Sequence, residues 1–347
     1  MQGKRFSNTV RKGGGATMLD VAQLAGVSAQ TVSRVVSNSD LVTDKTRERV
    51  QEAIRTLNYI PNEAARNLAS NSSRVVAMII PTLSSTAFAA QVKGVIDTLG
   101  ERGISVVIGN NEYSRDREEA IIQSLLEQRP LGIILTGLEH TPKAISLLQQ
   151  SGIPIVETWD TDGDALDLCV GFSNLAAGFD VGEMLIARGA QRIAFVGGVA
   201  QQDPRANSRF VGLARAVKEA GLPDVFRVEL QLPMSSADGI VGLDRVLQQA
   251  PMTDAIFFSA DTMALPAILE CNRRGIKVPD QLAICGFGDY DLASLVTPAL
   301  TTVRTRPVEM GVRSAQLLLE RLDGADGADD APSPITLQHQ LIRRGSA

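Results

Sequence analysis

The run Ala29-Gln30-Thr31-Val32-Ser33-Arg34 holds the side chains best suited to reading another molecule. In a short helix, Ala29, Gln30, Thr31, Ser33 and Arg34 fall near or on the outward face. A helix with a short polar N-terminal end fits the DNA major groove, where Gln pairs with adenine and Arg with guanine edges. The plainer reading is a solvated surface on a small helical domain, because such patterns recur by chance. Three short apolar stripes must position these residues. Val21, Leu24 and Ala25 form one, Val32, Val35 and Val36 a second, and Val50, Ile54 and Leu57 a third. Gly26 can take a left-handed conformation at the first turn, while Ser28 and Thr43 can cap the second and third helices, with Asp44 favouring the last dipole. Each stripe is too small to be stable alone, so the three must bury one another as a helix-turn-helix head.

Charge divides along the chain in the same way. Residues 1–70 contain ten Lys/Arg and six Asp/Glu, a net +4, whereas the remainder carries −9 of the total of −5. A locally basic end on an acidic body is the footprint of a protein that meets phosphate at one end only. Residues 1–16 are basic, polar and glycine-rich, read as a disordered leader rather than a signal peptide or membrane anchor. Cys169, Cys271 and Cys285 are scattered without CxxC spacing, which fits buried thiols in a reducing cytoplasm better than disulfides or zinc. His140 and His339 are the only histidines and stand alone in the sequence, leaving little material for a metal centre or a histidine base. No apolar run approaches the ~20 residues a membrane helix needs.

Beyond Asn71–Ser73 the pattern alternates between strand and helix. RVVAMIIP, ISVVIGN, LGIILTG, IPIVET and LCVGF read as buried parallel strands, separated by helices near 86–102, 116–128, 142–150 and 175–188. RIAFVGG, RVEL, AIFFSA and LAICGFG form a second series, with helices near 209–220, 236–249 and 263–274. Two such series predict two doubly wound parallel-sheet lobes, α/β in class, behind an all-α head. Leu300–Arg304 is expected to recross between the lobes, the helix 307–322 to rejoin the first, and ITLQHQLIRR to finish the second as one last strand. Ligands of open α/β sheets sit at the carboxyl ends of the strands, here the cleft between lobes. That rule picks out Thr82–Phe88, Asn110–Asn111, Thr136, Glu157–Asp160 with Trp159, Gly197–Arg209, Ala260–Asp261, Phe287–Asp289 and Thr305.

The runs AGVSAQTVSRVV, VTDKTRERVQEAI and LNYIPNEAARNLAS resemble the lactose-repressor (LacI) family of bacterial transcription regulators, and the resemblance continues through the whole chain. It implies a periplasmic-binding-protein-like core, base contacts from Ala29, Gln30 and Arg34, and a hinge helix over 62–69. In that hinge Asn62 caps, Ala65 lies close to the groove and Leu68 wedges into it. Arg209, in NSRFVGL, matches the family arginine that grips the effector; the competing reading is an exposed helix-start residue. Asp261, in SADTMAL, falls in a family segment whose asparagine is here Ala260, and Gly288 stands where neutral-sugar members carry an aspartate. Losing that carboxylate while keeping the arginine favours an anion, with room for a bulkier group as the alternative reason for the glycine. HTPKAISLLQQSGIPIVETWD and CVGFSNLAAG also resemble the gluconate-repressor branch.

The division expected is a leader at 1–17, the head at 18–60, a hinge and linker at 61–73, and an effector-binding core at 74–347. Lobe one takes about 74–172 and 305–330, and lobe two about 173–304 and 331–347. The functional expectation is a cytoplasmic homodimeric regulator, most simply a repressor, binding a roughly palindromic double-stranded operator under control of a sugar acid such as gluconate or ketogluconate. Its expected effector contacts are Phe88, Thr136, Trp159, Asp160, Arg209, Asp261, Gly288 and Thr305, and its DNA contacts Ala29, Gln30, Thr31, Ser33, Arg34, Asn62, Ala65 and Leu68, with no cofactor, metal, catalytic residue or membrane partner. GFGDYD lacks the third glycine of GxGxxG, and neither a phosphate loop nor a GxSxG elbow is present, which speaks against an enzyme. The rival from another class is a cytoplasmic sugar-binding or sugar-converting protein with an accessory N-terminal helical domain.

Overall fold

The computed structural model describes residues 16–36, 41–59, 73–324 and 333–347, which fall into two compact units, one ending at Asn71 and one beginning at Ser72. The small unit holds α1 (Met18–Ala25), α2 (Ala29–Val36) and α3 (Asp44–Thr56). Thr17 caps α1 reciprocally with Asp20, and Gly26 ends it at φ +63°. The Arg49 guanidinium donates to the Ala25 carbonyl and packs 2.9 Å from where a Cβ on Gly26 would lie. Ser28 accepts from the Thr31 amide at 3.1 Å. Thr43 is the N-cap of α3, but its hydroxyl meets the Thr46 hydroxyl at 3.0 Å instead of capping a backbone amide.

The buried centre of this unit is Val21, Ala22, Ala25, Val32, Val35, Val50, Ala53 and Tyr59. Leu24, expected in the first stripe, is 53% exposed. The α1 seam is centred on alanines, which let short helices approach closely, and this rotates Leu24 outward.

Among the described residues the large unit contains two six-stranded sheets. The first has β1 (Val75–Ile80), β2 (Ser105–Asn110), β3 (Gly132–Thr136), β4 (Ile155–Thr158), β5 (Leu168–Gly171) and β11 (Ile335–Thr336), in the order β11-β5-β4-β3-β1-β2. The second has β6 (Ile193–Gly198), β7 (Phe226–Leu230), β8 (Ala255–Phe258), β9 (Ala283–Phe287), β10 (Thr301–Arg304) and β12 (Gln340–Ile342), in the order β12-β10-β9-β8-β6-β7. The inner strands are buried almost throughout because helices cover both faces, whereas β2, at an edge, is half-exposed.

Three expectations are corrected. ITLQHQLIRR is two strands rather than one: β11 pairs in parallel with β5 of the first sheet, and β12 antiparallel with β10 of the second. A single strand cannot serve both sheets, so the chain crosses between them over 337–339. Leu300–Arg304 does not itself recross; β10 lies between β12 and β9, and the crossing follows it. The helix expected to begin near Arg209 begins at Pro204, because Asp203 accepts from the Ala206 amide at 3.1 Å and proline suits the first helical position.

Candidate functional site

On α2, Gln30, Ser33 and Arg34 are exposed, while Ala29 and Thr31 are half-buried. The Thr31 hydroxyl lies 2.9 Å from that of Ser28, and Ala29 packs against the core of the small unit. Three side chains are thus presented outward and two mainly shape the helix start. Asn62, Ala65 and Leu68 lie outside the described residues.

In the large unit a cavity of about 110 Å³ opens between the lobes at the carboxyl ends of the strands. The first lobe contributes Thr82, Ser84, Ser85, Phe88 and Trp159, and the second Asp203, Arg205, Arg209, Ser259 and Tyr290. Arg209 is buried, 7% exposed. Its Nη1 donates to Asn174 Oδ1 at 2.6 Å, its Nη2 to the Ser259 carbonyl at 3.2 Å, and its guanidinium carbon sits 4.1 Å from the Phe287 ring centroid. Burial lowers its pKa to about 10, so it remains a cation at neutral pH. Its Nε, the Ser259 Oγ and the Thr305 Oγ1 are buried with no hydrogen-bond partner among the described residues. Buried polar atoms are normally paired, so three idle ones on residues that line one cavity are the mark of a polar ligand site. Burial also raises the Tyr113 and Tyr290 phenols, which stay neutral. The acidic and basic side chains of the lining are Arg205, Arg209 and Asp203, two basic to one acidic.

Close packing sets these positions. Gly178 on the Asn174–Ala187 helix faces Arg209, whose carbonyl would lie 2.0 Å from a Cβ there. Only glycine lets the two helices approach so closely, which fixes both Asn174 and Arg209. Asn174 Nδ2 donates to the Trp159 carbonyl at 2.8 Å, so this one amide joins the arginine of the second lobe to the aromatic wall of the first. Trp159 takes φ +73°, and its indole N–H donates to buried Gln91 at 2.6 Å. Its ring stacks edge-on with Phe88 at 4.8 Å. Across the mouth, the Ser85 and Tyr290 hydroxyls meet at 2.9 Å.

Of the expected effector contacts, Phe88, Trp159, Arg209, Gly288 and Thr305 line this cavity together. Thr136 and Asp160 line a smaller neighbouring one. Asp261 lines neither: its carboxylate accepts from Thr302 Oγ1 at 2.6 Å and the Tyr290 amide at 2.9 Å, and burial raises its pKa to about 6. It is committed to holding the loop that carries Tyr290. Gly288 also changes meaning. It has φ +130°, and a Cβ there would meet the Tyr290 ring at 2.5 Å. The glycine makes room for the chain's own tyrosine, so its presence says nothing about ligand charge.

The reading of Arg209 as an exposed helix-start residue fails, since it lies within the Pro204–Glu219 helix and is buried. Nor does His140 stand alone: it bridges Glu118 and Glu157, at 3.1 Å to the latter, in a buried triad. Reasoning from strand ends missed Tyr113, Asn174, Ser259 and Tyr290. Asn174 left a trace as the first helical residue after β5, and Ser259 as the residue directly after β8.

A helix-turn-helix head on the same chain as a two-lobed core with a polar cleft marks a DNA-binding protein that carries a candidate ligand site. Residues 17–62 match the family described as bacterial regulatory proteins, lacI family, and residues 183–347 the periplasmic binding protein-like domain. The HTH-type transcriptional regulator GntR of Pseudomonas aeruginosa PAO1 is 38% identical over 345 residues, covering 99% of this chain and 98% of that one. A LacI-family transcriptional regulator from Silicibacter pomeroyi has a crystal structure with TM-score 0.88 and 33% identity, over 95% of this chain and 99% of its own. The lac repressor dimer bound to operator and an anti-inducer superposes with TM-score 0.81 at 28% identity, over 96% and 99%. This chain belongs to the LacI family of DNA-binding transcriptional regulators.

Proposed function

We propose that the chain is a homodimeric repressor whose hold on a roughly palindromic operator is set by a six-carbon sugar acid, gluconate or a ketogluconate, bound between the lobes. The observation that carries the sugar acid is the guanidinium of Arg209, buried, charged and with an idle Nε, beside the idle hydroxyls of Ser259 and Thr305. A carboxylate satisfies the cation and takes its N–H; the hydroxyls of the polyol chain satisfy the rest. Phe88 and Trp159 cover the apolar face of the carbon chain. The resemblance of two core segments to the gluconate branch points the same way.

A ligand that touches both lobes favours whichever relative position makes those contacts best, and its differential affinity for the two positions is what it can pass to the head. Three chain crossings, after β5, after β10 and between β11 and β12, are the places where that movement bends the backbone. Gln30, Ser33 and Arg34 would read the operator, two copies of α2 meeting its two half-sites.

Calorimetric titration of the full chain with gluconate, 2-ketogluconate and glucose tests the ligand. Binding of either acid without glucose is expected; glucose binding without either acid overturns the reading. Gel shift on DNA upstream of the chain's own gene tests the operator, with acid expected to release the complex.

A further inference from the structure

The smaller cavity, about 50 Å³, is lined by Asn111, Thr136, Asp160 and Gln202 among others, and it shares two side chains with the main one, Tyr113 and Arg205. Successive residues face the two spaces in turn: Trp159 lines the main cavity and Asp160 the smaller, while Asp203 lines the main one and Gln202 and Pro204 the other. The two spaces are therefore neighbours separated by the Tyr113 phenol and the Arg205 guanidinium. The lining of the smaller space is strongly polar: Asn111, Thr136 and Gln202 stand beside Glu118, Asp160 and Arg205, with Glu139 paired to Arg115. Carboxylates and amides that accept, set beside guanidinium and amide groups that donate, suit the hydroxyls of a carbohydrate, which do both.

Tyr113 is held in place by more than packing. It has φ +61°, directly after Glu112 at φ +50°, a left-handed pair that bulky residues adopt only when the surroundings enforce it. Its amide donates to Asn111 Oδ1 at 3.2 Å, Asn111 Nδ2 donates to Glu118 at 3.1 Å, and Glu118 is fixed in turn by His140 and, through it, Glu157. Arg205 is held by Asp203 at 4.0 Å and lies 5.6 Å from the Phe88 ring centroid. A buried charged network thus anchors the turn that carries the ring.

We propose that the smaller cavity is a latent second carbohydrate subsite and that Tyr113 is the specificity-determining partition closing it, limiting the effector to a single six-carbon unit. The proposal rests on the reading of the cleft as a sugar-acid site, which it deepens. With the ring removed, its volume and the two cavities become one elongated space, able to take an acid at Arg209 and a second sugar unit beyond it.

The test is calorimetric titration of the full chain and of Tyr113→Gly with gluconate, glucose, lactobionate and lactose. Glycine suits the left-handed backbone; Tyr113→Asn, also tolerant of that conformation, repeats the test should the glycine variant not fold. Wild type is expected to bind gluconate and reject both two-unit sugars. The variant is expected to bind lactobionate at least about tenfold more tightly than wild type does. Tyr113→Phe should still exclude it, because the ring rather than the hydroxyl closes the space. A wild type that binds lactobionate or lactose, or ring-deleted variants that gain neither, overturns the partition whatever the monomeric ligand proves to be. A variant that gains lactose alone supports the partition and counts only against the sugar-acid reading, as does a wild type that binds glucose but not gluconate.

Discussion

The two lobes have the same doubly wound plan and bring different chemistry to the cleft. The first supplies aromatic faces and hydroxyls, Phe88, Trp159, Thr82, Ser84 and Ser85, and the second the ionised groups, Arg209, Arg205 and Asp203. Each builds its site wall on a glycine contact. Gly178 lies against the Arg209 backbone in the second lobe, and Gly311 against that of Gln91 in the first, whose carbonyl would lie 2.1 Å from a Cβ. The buried ionic network, Glu118–His140–Glu157, is by contrast in the first lobe, behind the neutral side of the cleft. A shared fold fixes where the loops converge, and the few residues at each strand end decide what converges there.

Removing the cation proposed to hold the ligand should have the largest effect. Arg209→Ala is expected to lower effector affinity by about 100-fold or more, since charge-assisted hydrogen bonds are lost and Asn174 is left without a donor. Phe88→Ala, on the neutral side, should cost only about tenfold. Equal losses in calorimetry would erase the division of labour between the lobes.

The two glycines sharpen the contrast. Gly178→Ala and Gly311→Ala should each destabilise the chain by about 1–3 kcal/mol in denaturant unfolding, because the opposing carbonyl is backbone and cannot swing away. Gly178→Ala alone should also weaken effector binding strongly, since it displaces Arg209; a similar binding loss in Gly311→Ala would show that both lobes set the arginine.

A smaller effect follows from pH. Burial by itself depresses His140, but hydrogen bonds and charge from Glu118 and Glu157 outweigh it and raise its pKa to about 9. A folded-state pKa above the unfolded value of about 6.5 stabilises the protein fully below that pH, and the contribution is lost as pH rises through 9. Thermal unfolding should show falling stability from about pH 6.5 to 9, and His140→Gln, less stable throughout, should flatten that slope. An unchanged slope would place the titration elsewhere. The smallest change expected is for Ser85→Ala, which removes the hydroxyl contact to Tyr290 across the cleft and should cost about 0.5–1.5 kcal/mol in unfolding.

Periodicity determined the elements. The head stripes, the alternation of strands with helices and the placement of a site at the strand ends were all legible, because 3.6-residue and buried-strand patterns are local properties of the chain. The place of Arg209 in the cavity lining was legible by resemblance. Asp261 looks like a ligand residue in sequence because its partners, the Thr302 hydroxyl and the Tyr290 amide, lie 41 and 29 residues away and meet it only in the folded lobe. Gly288 keeps its expected place in the cavity lining, and what sequence could not show is that the ring of Tyr290 turns back over it. Asn174 could not be weighted from its sequence position, since its role depends on touching Trp159 and Arg209 at once, 15 and 35 residues away. His140 seemed isolated because its carboxylate partners lie on another helix and another strand. Local sequence decides what each segment becomes; which polar groups are left idle, which are spent on one another and which side chain divides a cavity follow only from tertiary packing, where distant residues share one desolvated space.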